Sequence, residues 1–280
     1  MANIPPMLAR REFIALLGGA AAVLVVGDGL SLAASEPQAH AQANQASWAD
    51  ALSKPAESAA NIQSSLGAEP TTPPQSLDDL PWNLRLINRE HPLPEGFLPE
   101  SLAEPPEASW VEEGRGAAVD ARIVDDLAAM LDAAEADGAH PVICSSYRTN
   151  DYQQSLFDSR VERVEEEEGL EGAAAEEAAA FWVAPPGASE HQAGLAVDIV
   201  DADYSELDEG QETTAAQQWL IAHCAEYGFI LRYPTDKSAV TGIGYEPWHY
   251  RYVGREAASD ITESGLCFEE WLVERYNIQG

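Results

Sequence analysis

Positive charge is scarce in this 280-residue chain: 15 Lys and Arg stand against 48 Asp and Glu, a formal net charge of −33. So acidic a chain repels phosphate backbones, which excludes nucleic-acid binding as its task. At long range it also repels anionic lipid heads and anionic wall polymers. The plain meaning of the charge is solubility, or life in salt. Cysteine is scarce as well. Cys144, Cys224 and Cys267 are too few for a disulfide scaffold, and the simplest reading of them is three small buried side chains. A long hydrophobic run is also missing. The apolar stretch 13–26 is broken by Gly27-Asp28-Gly29 and falls short of the roughly 20 residues that a spanning helix needs. What is present is enough for a core: 45% hydrophobic residues, with 7 Trp, 9 Tyr and 6 Phe, which excludes wholesale disorder.

The N-terminus has a positive segment at Arg10-Arg11, the short apolar run, and small residues around Ala39-His40-Ala41. That order is a secretory signal over residues 1–41; left uncleaved, it would act as an anchor, the chain's one link to a membrane. Arg10-Arg11-Glu12-Phe13 is similar to a twin-arginine signal, which exports folded proteins. Either route places the body of the chain outside the cytoplasm, secreted or anchored. No cysteine stands just after the apolar run, so a lipoprotein is not expected. Residues 42–80 are rich in Ala, Ser, Gln and Pro and read as a flexible low-complexity linker. Composition changes at Pro81-Trp82, and 81–280 is expected to be one domain, acting as a monomer.

Within that domain the apolar spacing of Ile123, Val124, Leu127, Met130 and Leu131 predicts a helix over 120–137, stopped by Gly138. Residues 141–145 read as a buried strand. A second helix opens at Asn150 as N-cap, and the acidic, Ala-rich stretch from Glu165 to Ala180 reads as a solvated helical hairpin. Further strands are expected over 195–200, 229–233 and 249–253, with a helix over 213–227 between them. Helices and strands mix without strict alternation, which predicts an α+β fold with an antiparallel sheet packed on helices.

Three segments carry chemistry: Ser189-Glu190-His191-Gln192-Ala193-Gly194-Leu195-Ala196-Val197-Asp198; Glu246-Pro247-Trp248-His249; and Ser145-Ser146-Tyr147-Arg148 with Gln153 beyond it. Two imidazoles and a carboxylate form the ligand set of a catalytic zinc with an open fourth position. Asp198 is a charged side chain in an otherwise apolar strand, and a buried carboxylate needs a cation or a hydrogen-bond partner. Taken singly, each residue has a plainer reading. His191 could be a capped or surface histidine, Asp198 a turn residue, and Arg148 a partner for any of 48 acids. Spacing alone leaves zinc and a plain scaffold both open.

The joint pattern resembles the VanY-type D-alanyl-D-alanine carboxypeptidases, the zinc peptidases of peptidoglycan. Ser189-x-His191-x-x-Gly194-x-Ala196-x-Asp198 and Glu246-x-Trp248-His249 match at every fixed position, and Ser146-Tyr147-Arg148 with Gln153 matches the substrate-binding segment. The resemblance runs from about Trp82 to Gly254. It implies one zinc per chain, held by His191, Asp198 and His249. It implies Glu246 as general base and then acid, Arg148 on the scissile carbonyl or a substrate carboxylate, and peptide contacts from Ser189, Gln153, Ser146, Tyr147 and Trp248. The fold implied is the hedgehog/DD-peptidase one, and the partner a peptidoglycan stem peptide. The expected activity is removal of the C-terminal D-alanine from stem pentapeptides. The alternatives are L,D-carboxypeptidase action on tetrapeptide stems and a zinc-bearing wall-binding module without turnover.

Overall fold

The structure, a computed structural model, describes residues 76–106, 108, 110–111 and 116–277. The expected signal (1–41) and nearly all of the expected linker (42–80) lie outside the described residues. Among those residues no helix is long and apolar enough to cross a membrane.

A short antiparallel pair comes first, β1 (Leu102–Ala103) with β2 (Val119–Asp120). Helix α1 (Val124–Ala136) buries Leu127, Met130, Leu131 and Ala134, the face its periodicity predicts. It begins later than expected because Asp120 belongs to β2. Strand β3 (Pro141–Ser145) follows as expected. Helix α2 (Asn150–Glu168) is capped by Thr149 rather than Asn150. Both are cap-forming types, but the extended backbone lies at Thr149, whose hydroxyl accepts from Tyr152 N–H at 3.2 Å. Helix α3 (Ala173–Ala180) folds back on α2 through Val164, Ala175 and Ala179, while Glu165–Glu168 stay exposed. This is the solvated hairpin that the composition predicts.

Strand β4 (Ala196–Asp201) is buried at all six positions. Helix α4 (Ala215–His223) is shorter than expected, its last turn tightening to a 3-10 turn at Cys224–Tyr227. Then come β5 (Phe229–Leu231), the single turn α5 (Ser238–Thr241) and β6 (His249–Tyr252). Two helices without a counterpart in the sequence expectation, α6 (Arg255–Ser264) and α7 (Phe268–Tyr276), close the described chain. They pack Ile261, Phe268, Trp271 and Leu272 against Leu84, Leu86, Ile230 and Val253.

The main sheet has the order β3-β4-β6-β5 and is antiparallel throughout, as the α+β expectation requires. Alternation along the strands positions the site. Val197 and Ile199 of β4 and Tyr250 of β6 join Leu127, Met130 and Leu131 of α1 and Leu220 of α4 in one core. Burying each such aliphatic side chain stabilises by about 1.5–3 kcal/mol. Asp198 on β4, and His249 and Arg251 on β6, occupy the alternate positions and so point to the opposite face.

Candidate metal centre

The register pairs Asp198 of β4 directly with His249 of β6, so both side chains leave the sheet on one face as neighbours. On the other flank Ser145 pairs with Asp198, next to an irregularity in β3. That edge leads into Arg148, whose Nη2 donates to Asp198 Oδ2 at 2.5 Å and whose Nε donates to Ser145 Oγ at 2.9 Å.

His191 arrives from a 3-10 turn, Glu190–Ala193, that ends at Gly194 with φ +68°. A Cβ on Gly194 would stand 2.7 Å from Asp120 N, so the left-handed backbone and the nearness of β2 both demand glycine. The turn aims His191 Nδ1–H at the Ser146 carbonyl, 2.8 Å away. With that proton committed, Nε2 keeps its lone pair. His249 is oriented the other way round: Nε2–H faces Glu190 Oε2 at 3.3 Å, which leaves Nδ1 as the donor atom. Asp198 Oδ1 lies 3.2 Å from both His191 Nε2 and His249 Nδ1. Yet His191 Nε2 and Asp198 Oδ1 are buried with no hydrogen-bond partner, so these are close approaches without hydrogen-bond alignment. One donor atom from each of the three residues falls within 4.8 Å of the others. Orphaned buried polar atoms are costly, and a divalent cation held with His249 Nδ1 would satisfy both. Two nitrogens and one carboxylate oxygen suit zinc.

The electrostatics separate the two imidazoles. Burial, reinforced by the Arg148 guanidinium, lowers the His191 imidazolium pKa to about 4 against the pull of Asp198, so this ring is neutral. For His249 burial acts downward, but the facing Asp198 and Glu190 carboxylates outweigh it and raise the pKa to about 9, so this ring holds a proton that a metal at Nδ1 would displace. Burial would raise Asp198, yet the His191 ring and the Arg148 guanidinium beside it hold it well below the usual carboxylate range.

Glu246 sits on a turn entering β6, its N–H donating to Tyr233 O and its carbonyl accepting from His249 N–H, both at 3.2 Å. Its carboxylate makes no hydrogen bond among the described residues and stands 3.7 Å from His249 Nδ1. Burial raises its pKa to about 8, with Asp198 and Glu190 adding and His249 and Arg148 opposing. A carboxyl titrating near neutrality is suited to accept and return a proton.

A cavity of about 450 Å³ opens over these groups. Of the residues the sequence singles out, Arg148, Ser189, His191, Asp198, Glu246, Trp248 and His249 line it. Ser146, Tyr147 and Gln153 are not among its lining residues. Ser146 supplies the carbonyl that orients His191, and Tyr147 N–H donates to Ala118 O at 2.9 Å. Gln153 is fully buried, donating to Ala184 O at 2.6 Å and accepting from Arg148 Nη1 at 3.4 Å. The residue that sequence reasoning missed is Glu190. It binds Arg232 Nε at 2.8 Å and Arg251 Nη1 at 2.7 Å through Oε1, and faces His249 through Oε2. Its signal was faint: an acid beside a motif histidine, and an arginine in each of two apolar segments, Arg232 and Arg251.

Fold and site together are those of a metal-dependent hydrolase. The chain belongs to the VanY family of D-alanyl-D-alanine carboxypeptidases, whose family model matches residues 116–255. A D-alanyl-D-alanine carboxypeptidase of Enterococcus faecalis is 41% identical over 196 residues, covering 70% of this chain and 67% of that protein. Its Enterococcus faecium namesake is 30% identical over 68% of this chain and 57% of its own length. The chain thus spans about two thirds, or less, of the length of these relatives. A crystal structure of the vancomycin resistance D,D-pentapeptidase VanY in complex with Zn(II) superposes with a TM-score of 0.58 at 42% identity, covering 69% of this chain and 99% of that one. The LD-carboxypeptidase LdcB superposes at 0.59 with 34% identity, covering 71% of this chain and 89% of that one.

Proposed function

We propose that this chain is an exported, zinc-dependent D,D-carboxypeptidase that removes the C-terminal D-alanine from peptidoglycan stem pentapeptides. The observation that carries the reading is the convergence of His191 Nε2, Asp198 Oδ1 and His249 Nδ1 around one buried point, with the Glu246 carboxylate free beside it. The E. faecalis relative's activity supports the D,D assignment, and the zinc in the VanY crystal structure supports the metal. Zinc held by His191, Asp198 and His249 would supply Lewis acidity toward the scissile carbonyl and make water a nucleophile near neutral pH. Glu246 takes the proton of the attacking water and passes it to the departing D-alanine amine. Arg148 stabilises negative charge as it develops on the carbonyl oxygen; its Nη1 holds only the long contact to Gln153, and this N–H is free to turn to substrate. Ser189 and Trp248 line the cavity and contact the peptide.

The likeness to LdcB favours one second reading, cleavage of a tetrapeptide stem at its L,D bond. Both are tested by incubating the zinc-loaded chain with pentapeptide and tetrapeptide stems, following D-alanine by mass spectrometry, with Glu246→Ala beside it. Release from the pentapeptide alone, lost in the variant, establishes the D,D enzyme. Release from the tetrapeptide moves the assignment to L,D. Zinc bound with neither stem cut overturns both and leaves the wall-binding module.

A further inference from the structure

One face of α2 forms a wall of the cavity: Leu156, Ser159, Arg160 and Arg163 recur at helical spacing and all line it. Two of these are arginines, in a chain where acids outnumber bases 48 to 15. Elsewhere Arg89, Arg122, Arg232, Lys237, Arg251 and Arg255 each pair with a carboxylate. Arg160 and Arg163 make no ion pair or side-chain hydrogen bond with any described residue, although Glu165–Glu168 follow on the same helix. Glu167 and Glu168 act on Arg160 only through space. Arg160 Nε is moreover buried with no partner. A buried guanidinium N–H without an acceptor is unfavourable, and placing a second cation beside it makes that worse. Such a pair is built for an anion that arrives from outside.

We infer that Arg160 and Arg163 form an anion subsite of this cavity, which takes a carboxylate on the acyl side of the substrate, upstream of the bond that is cut. The inference rests on the peptidase reading above for its substrate. Position argues against the C-terminal carboxylate. α2 starts beside Arg148, which holds Asp198, and Arg160 and Arg163 stand about 15–20 Å further along the helix axis at 1.5 Å per residue. Helical side chains lean back toward the N-terminus, which brings the two guanidinium groups part of the way toward the metal site. The terminal carboxylate lies within one residue, about 3.5 Å, of the scissile bond, whereas a residue two or three places upstream in an extended peptide lies about 7–11 Å away. Carboxylates carried there meet the two arginines; a cationic side chain in the same place is repelled. The subsite therefore distinguishes stem peptides by the charge of their second and third residues.

The test compares the zinc-loaded chain on two pentapeptides ending in D-Ala-D-Ala, one with free carboxylates at its second and third residues and one with both amidated. The expected ratio of kcat/KM, carboxylate over amide, is at least tenfold, the value of a charge-assisted hydrogen bond. In Arg160→Gln/Arg163→Gln the ratio falls to near one, and in Arg163→Glu, at an exposed position, it inverts. Calorimetry with Glu246→Gln repeats the comparison as binding alone. A wild-type ratio near one, or a ratio that survives the double substitution, overturns the subsite. If neither pentapeptide is cut but the binding preference is present and arginine-dependent, the peptidase reading falls and the subsite stands.

Discussion

Glu190 and His249 lie 3.3 Å apart, Oε2 to Nε2, while the other oxygen of the same carboxylate holds Arg232 and Arg251. One buried acid thus orients a proposed metal ligand and pairs with two buried arginines, Glu269 supplying the second negative charge at Arg232. Burial alone would raise its pKa, but the two guanidinium groups outweigh burial and hold it far below the usual carboxylate range.

Glu190→Gln should therefore act on both stability and metal. Breaking a buried ion pair from one side costs about 3–5 kcal/mol, and losing a hydrogen-bond partner of a metal ligand costs about 10–100-fold in affinity. The sign in pH follows from the lowered pKa. The carboxylate's contribution is complete above the unfolded carboxylate pKa of about 4.3, and is lost as pH falls through the folded value. The gap in Tm between wild type and variant should be widest at neutral pH and narrow in acid. A constant gap would show that the charge of Glu190 does not stabilise the fold.

Glu246→Gln should lose kcat by about 10²–10⁴-fold, the usual share of a general base, while zinc stoichiometry stays at one per chain. The basis is geometric: Glu246 stands beside His249, not among the three convergent donor atoms. Metal analysis alongside steady-state kinetics checks it; loss of zinc together with rate would make Glu246 a ligand.

His191→Ala and His249→Ala should each lose zinc. A ligand that binds only the native state at 100 times its Kd stabilises by about 2.7 kcal/mol. Chelation should accordingly lower the Tm of the wild-type protein and leave that of either variant unmoved. A wild-type Tm that ignores chelator would exclude a structural share for the metal.

Cys224 and Cys267 are buried free thiols, and burial pushes them up to about 12 and about 11. Thiolate is the reactive form, so neither should label with a maleimide at neutral pH in the folded protein. Both should label on denaturation, as read by mass spectrometry; labelling of Cys224 in the native state would place it in a part of the fold that opens readily.

The proposed metal donors were legible because their signals are local and chemical. His191 and Asp198 stand in one short segment, and a charge in the Ala196–Val200 strand announces itself. The distance from Glu246 to His249 was not legible, since Pro247 breaks the periodicity that would set it. Glu190 was hidden by composition: among so many acids nothing local marks the one that meets Arg232 and Arg251 across the fold. Ser146 and Gln153 show a different limit. Their place in the motif is plain, but Ser146 acts through its backbone carbonyl and Gln153 from behind Arg148, and spacing does not distinguish side-chain contact from support. The helices after β6 escaped notice because four residues of each are charged and packing on Leu84 and Leu86 is what shows the apolar stripe.

Strand β4 serves two clients by turns, Val197 and Ile199 supplying the core and Asp198 the site between them. A slip of one residue against β6 would exchange the roles, driving a carboxylate into hydrocarbon and aliphatic groups against the histidines. Two unrelated penalties, one hydrophobic and one electrostatic, therefore reject the same error. The chain thus proofreads the alignment of its candidate site as it folds, and a molecule with a sound core already has Asp198 and His249 in register.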